Sequence, residues 1–227
     1  MKIEVYRNRE LLAEDMADLQ EDIVHIWNIQ WREMGDFWNR HRDILNGKEI
    51  VQARRYRLYE DKMRFISGKI LTRFLLGHYL GTDKIILKNG KYGKPYHEKV
   101  ANQKTVEFNI SHSGEKVLAA FSYSYKVGID VQEIKEIPDY MEIAENFFSK
   151  EEAADIMQNG GLKLFYQYWA AKEAYLKALG IGLNRGMDFF SVRNEKIIER
   201  GKEKNEWYLY PIKMKDYATC VAIQEKG

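Results

Sequence analysis

The hydrophobic pattern of the chain changes character near residue 80. At the start, Lys2–Tyr6 alternates well enough to predict a first strand. From about Glu10 to Leu80 there is no proline, and apolar residues recur at steps of three and four, as in Ile23, Ile26, Trp27 and Trp31. That spacing predicts several helices, with breaks at Gly35, at Asn46-Gly47 and at Gly81. From Thr82 onward a period of two takes over. Ile85–Leu87 leads into the hairpin-like loop Lys88-Asn89-Gly90-Lys91-Tyr92-Gly93-Lys94-Pro95. Val106, Phe108 and Ile110 alternate up to the polar end Ser111-His112, Val117–Tyr123 is a second extended run, and Val127, Ile129 and Val131 form one face of a third. Three strands this close in sequence predict an antiparallel meander.

Beyond Pro138 helical spacing returns, with Ile143, Phe147 and Phe148 apolar. Ser149-Lys150-Glu151-Glu152 reads as an N-cap with first-turn acids. Leu162–Leu179, rich in Leu, Ala, Lys and Tyr, is the clearest helix and is closed by Gly180. Phe189–Arg193, Trp207–Pro211 and Ala218–Ile223 complete the chain as antiparallel strands. Helices and strands in mixed order, without βαβ alternation, predict an α+β fold.

Composition adds exclusions. The chain has 227 residues, 45% of them hydrophobic and 31% charged, enough for one large or two small cores and too apolar for disorder. One cysteine, Cys220, rules out an intrachain disulfide framework. The charged start fits no signal peptide. The most apolar stretch, Ile66–Leu80, is interrupted by Lys69, Arg73 and His78, so no membrane span is expected and the cytoplasm is the expected location. A net charge of +2 hides an uneven distribution. Residues 48–104 hold 14 Lys/Arg against 5 Asp/Glu, while 1–47 and 128–227 are acidic. A basic segment suits a polyphosphate ligand or a solvated helix face. Its confinement to one segment argues against a nucleic-acid partner.

Several residues could carry chemistry. Asp130 lies on the non-core face of an apolar strand, where a carboxylate must be solvated, paired or metal-bound. In the long helix, Trp169, Lys172, Glu173, Leu176 and Lys177 share one broad face, and Ala170, Ala171 and Ala174 imply that neighbouring structure packs closely around the charged groups. Alternatively, Glu173 and Lys177 form an ordinary surface pair. Ser111 and His112 point to opposite faces of a strand, which excludes a hydrolase dyad, whereas a histidine near Lys94 suits a phosphate. Five histidines and one cysteine, without close pairing, give no zinc site. Walker A and G-x-G-x-x-G patterns are absent.

Five strings in register, Tyr92-Gly93-Lys94-Pro95, Phe108-Asn109-Ile110-Ser111-His112-Ser113, Val127-Gly128-Ile129-Asp130-Val131, Phe147-Phe148-Ser149-Lys150-Glu151-Glu152 and Trp169-Ala170-Ala171-Lys172-Glu173-Ala174-Tyr175-Leu176-Lys177, resemble the 4′-phosphopantetheinyl transferases of the larger, Sfp-type, two-half form. The resemblance implies transfer of the phosphopantetheine arm of coenzyme A to a serine of an apo acyl or peptidyl carrier protein, releasing 3′,5′-ADP. It also implies two similar α+β halves related by pseudo-twofold symmetry, 1–126 with coenzyme A-binding basic residues and 127–227 with the metal-binding acids, in a monomer. By similarity Asp130 and Glu173 hold Mg²⁺, or Mn²⁺ in its place, with Gln132 where the family often has a second carboxylate. Lys48, Arg64, Lys94, Ser111, His112, Lys172 and Lys177 would contact coenzyme A, with Lys177 best placed to neutralise the pyrophosphate. Glu173, Glu152 or a metal-bound water would take the serine proton. A non-catalytic coenzyme A binder and a generic Mg²⁺-dependent phosphoesterase are the alternatives.

Overall fold

The computed structural model describes residues 1–98, 104–182 and 186–225. The chain forms two compact units, Met1–Lys88 with Pro95–Ser124, and Asn89–Lys94 with Tyr125–Gly227. Residues 99–103 of the basic segment lie outside the described residues.

The first unit contains β1 (Lys2–Tyr6), α1 (Asn8–Leu11), β2 (Ile23–Gln30), α2 (Gly35–Arg40), α3 (Gly47–Arg55) and the long α4 (Tyr59–Leu80). A hairpin of β3 (Leu87–Asn89) and β4 (Pro95–His97) follows, then β5 (Glu107–Ser113) and β6 (Lys116–Ser122). Its main sheet has the order β1-β2-β6-β5, with β1 and β2 parallel and the other pairs antiparallel. Ile23, Ile26 and Trp27 thus lie in a strand where their spacing predicts a helix. β2 is an inner strand whose first five residues are all buried, so the polar-apolar alternation that marks a half-exposed strand is missing.

Trp27, Trp31 and Trp38 are core residues with Leu71, Leu75 and Phe121. Asn46 caps α3, accepting from Glu49 N while the Glu49 side chain accepts from Asn46 N. Gly81 ends α4 in the left-handed region, and Gly35 starts α2 rather than breaking the chain. A buried pair ties α3 to α4: Arg73 Nη2 lies 3.2 Å from Glu49 Oε1, and Arg73 Nη1 donates to Ile85 O at 2.6 Å. Beneath β2, Trp27 Nε1 donates to Tyr79 Oη at 2.7 Å, and His25 Nδ1 lies 2.9 Å from the same oxygen.

The second unit runs β7 (Tyr125–Glu133), α5 (Tyr140–Phe147), α6 (Lys150–Asp155), a π-helical turn at Ile156–Gly160, α7 (Gly161–Leu179), β8 (Phe190–Arg193), β9 (Lys196–Glu199), β10 (Lys202–Glu203), β11 (Trp207–Pro211) and β12 (Tyr217–Glu225). Two antiparallel sheets result, β11-β12-β7 and β10-β9-β8. The predicted meander therefore stops after β6. β7 instead pairs along nine residues with β12, so its backbone groups are satisfied by a strand some ninety residues later. α7 packs on β7 and β12, closed as expected by Gly180 at φ 71°. Among the described residues no helix is long and apolar enough to cross a membrane.

Candidate functional site

The charged groups of the second unit gather where α7 crosses β7. Ala170, Ala174 and Ala178 recur every four residues along one side of α7 and are all buried. Opposite them β7 carries Gly128, where an added methyl would overlap the carbonyl oxygen of Ala174 and the backbone nitrogen of Ala178. Helix and strand thus meet backbone to backbone. Asp130 shares the face of Gly128, two residues on, and so points toward α7 rather than lying on a non-core face. It is 1% exposed.

A carboxylate buried that deeply needs partners, and it has them. Lys177 Nζ donates to Asp130 Oδ1 at 2.6 Å, and Gln132 Nε2 donates to Asp130 Oδ2 at 2.8 Å. Glu173 stands one turn before Lys177. Burial pushes its carboxyl above the usual range, Lys177 opposes the shift and the charge of Asp130 adds to it. Asp130, Gln132, Glu173 and Lys177 are therefore brought together, with Lys177 paired to Asp130 and its charge felt at Glu173.

Lys94 comes to the same end of α7. Its ammonium donates to Val127 O at 3.1 Å and to Ala178 O at 3.2 Å, an interaction of a cation with a helix C-terminus.

Lys172 and Glu152 form a separate pair. Lys172 is 0% exposed and donates to Met187 O at 2.9 Å and Phe190 O at 2.8 Å, with Glu152 Oε2 at 2.9 Å. Glu152 also accepts from Ser149 N at 2.8 Å and from Val192 N at 2.6 Å, inside a capping box at the start of α6. Burial pulls the Lys172 ammonium below its ordinary pKa against the pull of Glu152. The broad helix face read from the sequence is thus divided. Trp169, Glu173 and Lys177 lie along one line of α7, and Lys172 turns into the core.

The remaining sequence candidates belong to the first unit. Arg64 donates to Gly114 O at 2.9 Å and pairs with Asp61. His112 is exposed on β5, next to Gly68 of α4, while Ser111 is buried on the other face. Lys48 is exposed in the first turn of α3. Sequence reasoning did not assign Gly128 a role. Its signal was present, a glycine two positions before Asp130 together with alanines every fourth residue of the helix.

A family model described as the 4′-phosphopantetheinyl transferase superfamily matches residues 126–222, and one described as 4′-phosphopantetheinyl transferase, N-terminal, matches 29–123. The 4′-phosphopantetheinyl transferase Sfp of Bacillus subtilis is 35% identical over 159 residues, covering 68% of either chain. The chain belongs to the 4′-phosphopantetheinyl transferase superfamily.

Another relative, the 4′-phosphopantetheinyl transferase HetI of Nostoc sp., is 31% identical over 170 residues, which is 73% of this chain and 72% of HetI. A relative in Synechocystis sp., 33% identical, is spanned over 62% of its length. The transferase segment at 126–222 contains all four residues of the α7–β7 corner.

Proposed function

We propose that this protein transfers the 4′-phosphopantetheine arm of coenzyme A to a serine hydroxyl of an apo carrier protein, acyl or peptidyl. The serine Oγ–P bond forms, the pyrophosphate P–O bond breaks, and 3′,5′-ADP leaves. The observation that carries this reading is the buried Asp130 carboxylate held by Lys177 and Gln132, with Glu173 one turn before Lys177 on α7, inside the segment that matches the superfamily.

The donor set fits Mg²⁺. Two carboxylates with one ammonium leave an excess negative charge, and both carboxylates offer hard oxygen ligands. Among the described residues no three His, Cys, Asp or Glu side chains cluster, so the set rests on Asp130 and Glu173, with the amide oxygen of Gln132 as third donor after rotation of its terminal amide. Bound there, the cation would polarise the pyrophosphate and stabilise the departing ADP.

The residues of the chain do the positioning that phosphoryl transfer chiefly requires. Lys177 supplies a charge that can turn from Asp130 to a phosphate. Lys94, Lys48, Arg64, Ser111 and His112 are assigned to the phosphates and nucleotide of coenzyme A. Lys172 and Glu152 satisfy each other and four backbone groups, and are assigned to the scaffold. That leaves Glu173 as the side-chain carboxylate for the serine proton. The reading takes the protein as a cytoplasmic monomer.

Incubation with coenzyme A, Mg²⁺ and an apo carrier, followed by the intact mass of the carrier, tests the proposal. A mass gain of one phosphopantetheine is expected, and unmodified carriers of both types would overturn it. Gln132 favours a second reading, a coenzyme A binder without transfer, since it offers an amide where the family often has an acid. Calorimetric binding of coenzyme A with unchanged carrier would support that reading.

A further inference from the structure

Both carboxylate oxygens of Asp130 are already occupied. Oδ1 accepts from Lys177 Nζ at 2.6 Å and Oδ2 accepts from Gln132 Nε2 at 2.8 Å, on a side chain 1% exposed. A divalent cation reaching Asp130 must displace at least one of these donors. The ammonium is the stronger competitor, because a charge-assisted bond at this distance in a desolvated corner exceeds a neutral amide bond. Displaced with nothing to receive it, Lys177 would stand beside the incoming cation and repel it. Lys177 is part-exposed, however, at 27%, on a flexible stem in the last turn of α7, so it can leave Asp130 for another anion nearby.

Resting on the proposed transferase reading, we infer that Lys177 is a built-in counterion that holds the Asp130 site against divalent cations until a pyrophosphate group draws its ammonium away. The cation and the pyrophosphate of coenzyme A then bind with positive coupling, and part of that coupling is the transfer of Lys177 from one anion to the other. By thermodynamic reciprocity the cation raises coenzyme A affinity by the same factor. The inference runs against the simplest expectation for a site lysine, because removing Lys177 should tighten metal binding in the absence of coenzyme A.

The test is Mn²⁺ binding to the whole protein, followed by loss of the free-ion electron paramagnetic resonance signal, without and with coenzyme A. Lys177→Gln keeps a neutral donor for Asp130, and Lys177→Arg keeps the charge. Without coenzyme A, Lys177→Gln should bind Mn²⁺ about tenfold more tightly than wild type, and Lys177→Arg should stay within about twofold of wild type. Coenzyme A should improve Mn²⁺ binding less in Lys177→Gln than in wild type. Circular dichroism on the same samples establishes that each variant is folded. If Lys177→Gln unfolds, Lys177→Met, which also removes the ammonium, is measured in its place, with the same tightening of about tenfold expected. Equal or weaker Mn²⁺ binding by folded Lys177→Gln without coenzyme A overturns the inference while leaving transfer to the carrier intact. Absence of Mn²⁺ binding in every sample, together with an unmodified carrier, overturns the transferase reading itself.

Discussion

Each unit lays a long helix on antiparallel strands, α4 on β5 and β6 and α7 on β7 and β12, yet the two contacts are made differently. Gly68 of α4 faces side chains, and a methyl added there would stand 3.3 Å from the Ile110 Cδ1 tip. Gly128 of β7 faces the helix backbone itself. A side-chain contact can adjust by small rotamer shifts, whereas a backbone contact fixes the separation of the two elements. Asp130 stands next to the fixed contact. In the first unit, Lys48 and His112 are exposed.

The two units also bury different polar groups. The second buries the charged pair Lys172–Glu152. The first buries the charged pair Arg73–Glu49 and, in addition, the imidazole of His25, whose pKa burial pulls down to about 4, against the opposing charge of Glu4.

Substitutions can break this comparison at several points, and the largest effect is expected at the buried pair. Lys172→Met leaves Glu152 buried without its cation and should cost about 4 kcal/mol in urea unfolding. A loss below about 1 kcal/mol would mean that Glu152 finds another partner. Next, Gly128→Ala should cost about 3 kcal/mol, because neither Ala174 nor Ala178 can yield without moving α7. The contrast is sharpened by Gly68→Ala, which should change stability by less than about 1 kcal/mol, since the Ile110 tip can move and alanine favours the helix. Equal costs for the two glycine variants would erase the distinction between the contacts.

Between these in size lies a pH effect in the first unit. The unfolded chain takes up the His25 proton near pH 6.5 and the folded chain only near pH 4. Stability from this group is therefore full above pH 6.5 and falls as the pH drops toward about 4. Wild type should lose about 2 kcal/mol more between pH 7 and 5 than His25→Gln does. Parallel pH profiles for the two proteins would refute it.

Much of this was legible in the sequence where local pattern decides. The capping box at Ser149, α7 with its closing Gly180, and the strands around Phe108 and Ile129 follow from nearest-neighbour chemistry. β2 escaped because an inner strand buried on both faces shows no alternation, and its Ile23, Ile26 and Trp27 imitate helical spacing. The pairing of β7 with β12 escaped because nothing local specifies a partner so distant. At the site, Asp130, Glu173 and Lys177 could be named from motif and spacing. The inward turn of Lys172 could not, since it depends on Glu152, Met187 and Phe190, all remote in sequence. The role of Gly128 needed the helix to be seen lying on it.

On the proposed transferase reading, the close-packed corner of the second unit carries the chemical step while Lys48 and His112 of the first, both exposed, bind coenzyme A. Steady-state transfer to an apo carrier, with coenzyme A varied, tests it most directly. Asp130→Asn should lower kcat about a hundredfold or more, whereas His112→Ala should raise KM for coenzyme A several-fold and leave kcat within about twofold. A kcat unchanged in Asp130→Asn, or a collapse of kcat in His112→Ala with KM unmoved, would contradict the account.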